Sequence, residues 1–80
     1  MREIIIYTKS TCPYCTKAKA LLARRNISFS EVVIEGRDDL RTEMIQRSNG
    51  RTTVPQVFIN GKHIGGCDDL HAYEAKGGLE

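Results

Sequence analysis

The sequence predicts a single α/β domain over residues 1–80, a four-stranded mixed sheet flanked by three helices in the order β-α-β-α-β-β-α. Three observations carry this expectation. The consecutive apolar, β-branched run from Ile4 to Thr8 is what a strand buried on both faces requires. A helix-period segment follows it directly, so strand, helix and next strand form a crossover unit, and right-handed crossovers set the two strands parallel. Near the other end, Asn60-Gly61 stands between two strand-like runs, a strong short-range signal for a tight antiparallel hairpin.

Each element has its own local reason. The first helix is expected from Pro13 to about Arg25, with Cys15, Ala18, Leu21 and Leu22 on one face and Lys17, Lys19 and Arg24 on the other. Pro13 suits the first helical position, where its missing N–H costs nothing, and Asn26 can end the helix. Phe29 to Ile34 reads as the second strand. Asp38 then offers an N-cap to a helix carrying Leu40, Met44 and Ile45, which Asn49-Gly50 stops. Val54 to Ile59 is the third strand and Lys62-His63-Ile64 the fourth, broken by Gly65-Gly66. Asp68 or Asp69 can cap a last short helix containing Leu70 and Tyr73, after which little chain remains to cover the sheet.

Composition narrows the function classes. A hydrophobic share of 40% and a charged share of 28% are those of an ordinary globular domain, which excludes disordered and low-complexity chains. No apolar run approaches the roughly 20 residues of a membrane span, and Ile4 to Tyr7 is too short for the core of a signal peptide. The chain is therefore expected to be soluble, cytoplasmic and without a membrane partner. A net charge of +2 argues against a dedicated nucleic-acid binder. The charge is uneven, however: residues 1–25 carry +5, residues 26–50 carry −2 and residues 51–80 carry −1. Positive charge gathers around the first two cysteines, while the distal Arg24 and Arg25 are read as a solvated helix face.

Three cysteines cannot form a closed set of intramolecular disulfides, and a reducing compartment is the simpler setting. Two of them form Cys12-Pro13-Tyr14-Cys15, which falls between a buried strand and a helix N-terminus. The first N–H groups of a helix lack backbone partners, and the helix dipole adds positive potential there. Both favour a thiolate at Cys12, with Lys9 acting in the same direction. Cys15 lies one turn deeper, on the face turned toward the sheet. This asymmetry suits thiol–disulfide exchange: Cys12 attacks an external disulfide and Cys15 resolves the mixed disulfide. A C-x-x-C at the first strand–helix turn of such a unit is a thioredoxin-like redox signature.

Metal binding is the rival reading. His63 and Cys67 supply a second couple and make a nominal Cys3His zinc set with Cys12 and Cys15. Zinc knuckles seldom place Pro-Tyr inside a C-x-x-C that opens a long amphipathic helix, and strand alternation could turn His63 to solvent. No metal is assigned to the site on these grounds.

Cys-Pro-Tyr-Cys, together with Tyr7-Thr8-Lys9 before it, Thr53-Val54-Pro55 in the middle and Gly65-Gly66-Cys67-Asp68-Asp69 near the end, resembles the glutaredoxin family, in particular its small bacterial dithiol members. Thioredoxins carry Trp-Cys-Gly-Pro-Cys instead, and this chain has no tryptophan. The match covers nearly the whole chain in order and spacing. It implies a thioredoxin fold, a redox pair of Cys12 and Cys15, and glutathione as co-substrate with no tightly bound cofactor. It also implies reduction of glutathionylated and disulfide-bonded proteins. No large apolar surface is obvious in the sequence, so a monomer is the default expectation.

The resemblance assigns roles that spacing could not. Pro55 would follow a cis peptide bond facing the active site, and the Val54 backbone would pair with the cysteine of glutathione, with Thr53 alongside. Gly66, Cys67 and Asp68 would hold the γ-glutamyl end, where helix N–H groups favour a carboxylate and the Asp68 side chain can pair with an ammonium. Lys9 and Tyr14 would flank the glutathione sulfur and its glycyl end. Asp69 is read as a helix cap, Val57 to Ile59 as core strand, and the Cys67 sulfur as a reduced thiol outside the disulfide chemistry. Arg51 matches the motif loosely and stays outside the expected site; His63 and His71 receive no role. Some relatives of the family bridge an iron–sulfur cluster between two subunits, so a cluster carrier or a zinc module using the same cysteines is the alternative.

Overall fold

The computed structural model describes residues 2–79, so Met1 and Glu80, the ends of the expected domain, lie outside the described residues. Among the described residues the elements are β1 (Ile4–Thr8), α1 (Pro13–Arg24), β2 (Ser30–Val33), α2 (Asp38–Arg47), β3 (Gln56–Ile59), β4 (Lys62–Gly65) and α3 (Cys67–Ala75). The strands form one sheet in the order β2-β1-β3-β4. β1 runs parallel to β2, antiparallel pairing joins β1 to β3 and β3 to β4, and a register shift interrupts the β3–β4 ladder at Val57/Phe58. The expected architecture and element order are therefore those observed.

The period-two alternation of β1 divides the core between the two faces of the sheet. Ile4 and Ile6, with Val57 and Ile59 of β3, pack against Ala18, Leu21 and Leu22 of α1 and Leu70 of α3. Tyr7 and Phe58 face the other way, against Met44 of α2. Each fully buried Leu or Ile contributes roughly 1.5–3 kcal/mol by leaving water, so this core is what holds a short chain together. α2 buries only Met44 completely, and polar contacts supplement its docking. The Tyr7 hydroxyl donates to Glu43 Oε2 at 2.6 Å and accepts from Arg47 Nη1 at 2.8 Å, and the Arg47 guanidinium lies 4.8 Å from the centre of the Phe58 ring.

The hairpin turn is built as its sequence requires. Asn60 and Gly61 both adopt positive φ, 51° and 82°. Asn60 is also tied to the start of β1, since its N–H donates to the Glu3 carbonyl and its side-chain oxygen accepts from the Glu3 N–H.

Several boundaries and contacts differ from expectation. β3 begins at Gln56 rather than Val54, because Pro55 has no N–H to donate to a ladder. Asp38 is the first residue of α2, not its cap; Arg37 holds the cap position without a side-chain hydrogen bond. Neither Asp68 nor Asp69 is the cap of α3. That residue is Gly66, and Asp69 reaches back from the third helical position so that its Oδ2 accepts from the Gly66 N–H at 2.9 Å. Arg25 is not part of a solvated face but closes α1 half-buried and lies 3.5 Å from Glu74 of α3. The tail covers more than expected: Leu79 is buried in the α1–α3 core, and its carbonyl accepts from Arg2 Nη1 at 2.9 Å.

Candidate active site

Cys12 is the last residue before α1 and keeps an extended backbone, with φ −135° and ψ 107°. Its sulfur therefore occupies the place of a capping side chain and accepts the Cys15 N–H at 3.3 Å. Pro13 follows at the first helical position, and no acidic residue stands in the first turn to offset the dipole. On its other side the Cys12 thiol points at the Val54 carbonyl, 3.9 Å away. Cys12 is half-buried; Cys15 is 1% exposed. Burial, then the hydrogen bond to Cys12, push the Cys15 thiol up to about 11, against the opposing effect of a backbone hydrogen bond from Lys9. The pair thus consists of one accessible sulfur in a hydrogen-bonding cradle and one sequestered thiol held protonated. All three cysteines are free thiols here.

Acidic side chains of the neighbouring strand and its loop fix the segment between β1 and α1. Ser10 donates to Glu35 Oε1 through both its N–H and its hydroxyl, at 3.1 and 2.7 Å. The buried Thr8 hydroxyl donates to Glu31 Oε2 at 2.6 Å, and Lys19 reaches the same oxygen at 2.9 Å. Thr8 first, then Lys19, hold the Glu31 carboxyl below the ordinary carboxylate range. Lys19 accordingly ties α1 to β2.

Beside the Cys12–Val54 contact lies an open groove of about 480 Å³. One wall is Thr53, Val54 and Pro55, with the Val54–Pro55 peptide bond cis, as the resemblance implied. The facing wall is the start of α3, Gly66, Cys67 and Asp68, and the exposed Tyr14 closes the end near the cysteines. Seven of the eight expected glutathione-binding residues therefore line one groove. Lys9 does not: its side chain is exposed, and it is its backbone that meets the site, through Cys15.

Two residues outside the expected set, Arg51 and Asp69, line the groove as well. Arg51 Nη2 lies 3.4 Å from Asp69 Oδ2, so one carboxylate both closes the N-terminus of α3 and holds a guanidinium on the groove wall. The Gly66 N–H, and after it Arg51, hold the Asp69 carboxyl below its usual range. Gly65 adopts φ +125°, and a side chain there would collide with this carboxylate. Gly66 passes so close to the opposite wall that an added Cβ would lie 3.4 Å from the Pro55 carbonyl oxygen.

The histidines are engaged rather than solvated. His63 is half-buried: its ring packs 5.1 Å from that of Phe58, and Nε2 lies 2.7 Å from Gln56 Oε1. His71 Nδ1 lies 2.8 Å from the Cys67 carbonyl oxygen and 3.6 Å from its sulfur. Burial, then the charge of Asp68, push the Cys67 thiol up. The nominal Cys3His set is not assembled; among the described residues no group of three or more His, Cys, Asp or Glu side chains is disposed to hold a metal ion. Gln56 is the residue that sequence reasoning overlooked. A polar side chain inside the apolar run from Val54 to Ile59 was the available signal, because a buried amide must find partners.

Comparison with known proteins agrees with this geometry. The sequence profile of the glutaredoxin family matches residues 4–64. Glutaredoxin 3 of Escherichia coli K12 is 60% identical over 80 residues, which spans all of this chain and 95% of that one. A glutaredoxin of Pseudomonas aeruginosa is 48% identical, with 100% and 94% covered. Among solved structures, the Brucella melitensis glutaredoxin superposes with a TM-score of 0.82 at 52% identity, covering 96% of this chain and 83% of that one. A buckwheat glutaredoxin–glutathione complex gives 0.87 at 31% identity, covering 98% and 73%. The fold is accordingly the thioredoxin fold of that group, and with the profile matched across most of its length and relatives at 60% and 48% identity matched over 95% and 94% of theirs, the chain belongs to the glutaredoxin family.

Proposed function

We propose that this chain is a glutathione-dependent thiol–disulfide oxidoreductase that reduces glutathione mixed disulfides and protein disulfides through Cys12 and Cys15. Family membership supports thiol oxidoreduction in general; the finer reading rests on the unequal surroundings of the two sulfurs. Cys12 is reachable and accepts a helix N–H, while Cys15 is buried one turn deeper with its thiol pushed up to about 11. An attacking sulfur must be a thiolate at working pH, and a resolving sulfur must not compete with it.

In the proposed cycle the Cys12 thiolate attacks the glutathione sulfur of a glutathionylated substrate. A Cys12–glutathione disulfide forms, and the substrate sulfur leaves as a thiolate that takes up a proton. A second glutathione thiolate then attacks the bound glutathione sulfur, releasing glutathione disulfide and restoring the Cys12 thiolate. With a protein disulfide as substrate, Cys15 instead loses its proton and attacks the Cys12 sulfur of the mixed disulfide. The reduced protein leaves, and two glutathiones later reduce the Cys12–Cys15 bond.

The groove fits a γ-glutamyl tripeptide in chemistry. Val54, with Thr53 beside it, offers backbone groups that no ladder uses, so a peptide can pair there as a short added strand. Gly66 and Cys67 open α3 toward a carboxylate, and the Asp68 side chain can meet an ammonium. Tyr14 would flank the glutathione sulfur and its glycyl end from within the groove, and Lys9 would do so from outside its lining. The same proposal treats residues 1–80 as one domain acting as a cytoplasmic monomer, with glutathione and glutathionylated or disulfide-bonded proteins as its partners.

The test is turnover of a small glutathione mixed disulfide, with glutathione reductase regenerating the pool and a chelator present. Turnover that disappears in Cys12→Ser supports the reading. In Cys15→Ser the reduction of protein disulfides should be lost while deglutathionylation persists; loss of both would refute the division of labour. A folded, reduced parent protein without turnover would refute the reaction class.

A further inference from the structure

Thr53 and Val54 form the groove wall against which the proposed peptide pairing would occur, yet regular secondary structure does not hold them. Among the described residues, no backbone–backbone hydrogen bond reaches residues 52–55. What fixes Thr53 is one side chain. Gln56 is fully buried, and its Nε2 donates to both the Thr53 carbonyl at 3.0 Å and the Thr53 hydroxyl at 3.3 Å. Its Oε1 faces His63 Nε2 at 2.7 Å.

The chemistry of the partners fixes the direction of this chain of bonds. A carbonyl only accepts, so the amide nitrogen of Gln56 must face Thr53 and its oxygen must face His63. His63 must then donate through Nε2–H, which it can do either neutral or protonated. β4 orients that donor, and the contact of the imidazole with Phe58 steadies it. A buried amide that lost its histidine partner would have an unpaired oxygen and a reason to turn, releasing Thr53.

We infer that Gln56 and His63 are positioning residues for the glutathione-binding wall, transmitting the rigid β3–β4 hairpin to Thr53 and Val54. The inference rests on the proposed glutathione-dependent reaction and identifies what sets its substrate affinity. Neither side chain touches the sulfurs. Removing either therefore weakens ground-state and transition-state binding alike, which raises KM and leaves kcat in place.

The experiment is steady-state turnover of a small glutathione mixed disulfide by the parent, Gln56→Leu, His63→Phe and His63→Gln, with circular dichroism confirming the fold. Gln56→Leu is expected to raise KM about fivefold, the worth of one neutral hydrogen bond, with kcat within about twofold. His63→Phe keeps a ring on Phe58 but removes the N–H, and is expected to raise KM in the same direction. His63→Gln restores a donor near the former Nε2 and is expected to return KM to the parent value. If Gln56→Leu fails to fold, the two His63 variants decide. Folded variants with unchanged KM, a loss confined to kcat, or no rescue by His63→Gln would overturn the inference while the parent still turns over. A parent without turnover would overturn the reaction itself, and this inference with it.

Discussion

The protonation of Cys15 offers the most direct test of the proposed division between the two sulfurs. Its thiol stands at about 11 against an ordinary 9.0, which is roughly a hundredfold less thiolate at any pH below 9. Burial is the largest cause, the hydrogen bond to Cys12 the second, and the charge of Cys12 contributes further. These causes respond differently when Cys12 becomes disulfide-bonded to glutathione. The charge on Cys12 disappears and burial remains, so the Cys15 thiol should come down in the adduct, with burial still opposing its ionisation. Titration of cysteine labelled with carbon-13 at Cβ follows each thiol separately in the reduced protein. The Cys15 resonance is expected to hold its thiol position through pH 9 and move only on approach to 11. In the adduct, release of glutathione by Cys15, followed by mass spectrometry of quenched samples, should quicken nearly tenfold per pH unit from 7 to 9. A Cys15 midpoint at or below 9 in the reduced protein, or a release rate flat across that range, would refute the argument that burial holds this thiol in reserve.

Other consequences follow from the same contacts. Gly65→Ala places a side chain at φ +125° against the Asp69 carboxylate, so it should cost about 2–3 kcal/mol and lower the thermal midpoint by roughly 10–20 °C; a midpoint within a few degrees of the parent would mean that α3 shifts freely. Glu31 has its folded value depressed by Thr8 and Lys19, so its stabilisation is present above the unfolded 4.5 and is lost as pH falls through the depressed value. Glu31→Gln should therefore cost roughly 1 kcal/mol at neutral pH and flatten the acid side of the stability curve, as urea unfolding at several pH values would reveal. Cys67→Ser should leave turnover within about twofold, because the sulfur is buried beside His71 and only its backbone N–H faces the groove in the proposed binding mode.

The legible part of this protein is its local part. The β-branched run of β1, the proline at the first position of α1 and the Asn60-Gly61 turn each state their conformation within a few residues, and each is found where the sequence put it. The Cys12-to-Cys15 spacing likewise dictated that one sulfur would cap α1 and the other would turn inward, because one helical turn separates them. What escaped depends on partners distant in sequence. His63 carries no local mark of its bond to Gln56, and Arg25 none of its approach to Glu74. Leu79 looked like the end of a tail because the core that receives it is assembled from β1, β3, α1 and α3 together. Asp69 was read as a cap, and its carboxylate does close α3, but its hold on Arg51 spans eighteen residues of chain that no pattern connects.

The groove lies between two helix starts, and under the proposed function the difference between them lets one small surface serve both the reacting sulfur and the far end of a peptide. α1 opens with no acidic residue in its first turn, and the Cys12 sulfur itself accepts the Cys15 N–H there. α3 opens with Asp68 and Asp69. Both carboxylates are exposed, but Asp69 is already engaged by the Gly66 N–H and Arg51, which leaves Asp68 as the one with no hydrogen-bond or ion-pair partner among the described residues, beside the remaining first-turn N–H groups. That end therefore presents donors for a carboxylate and, next to them, an acceptor for an ammonium, which is the pairing of an α-amino acid terminus. Exchanging Asp68 for Asn should weaken a zwitterionic terminus while sparing the reaction at Cys12. A KM raised for a γ-glutamyl disulfide but unchanged for one lacking the amino group would separate the two ends of the groove, and an equal effect on both would show that Asp68 serves the helix rather than the ligand.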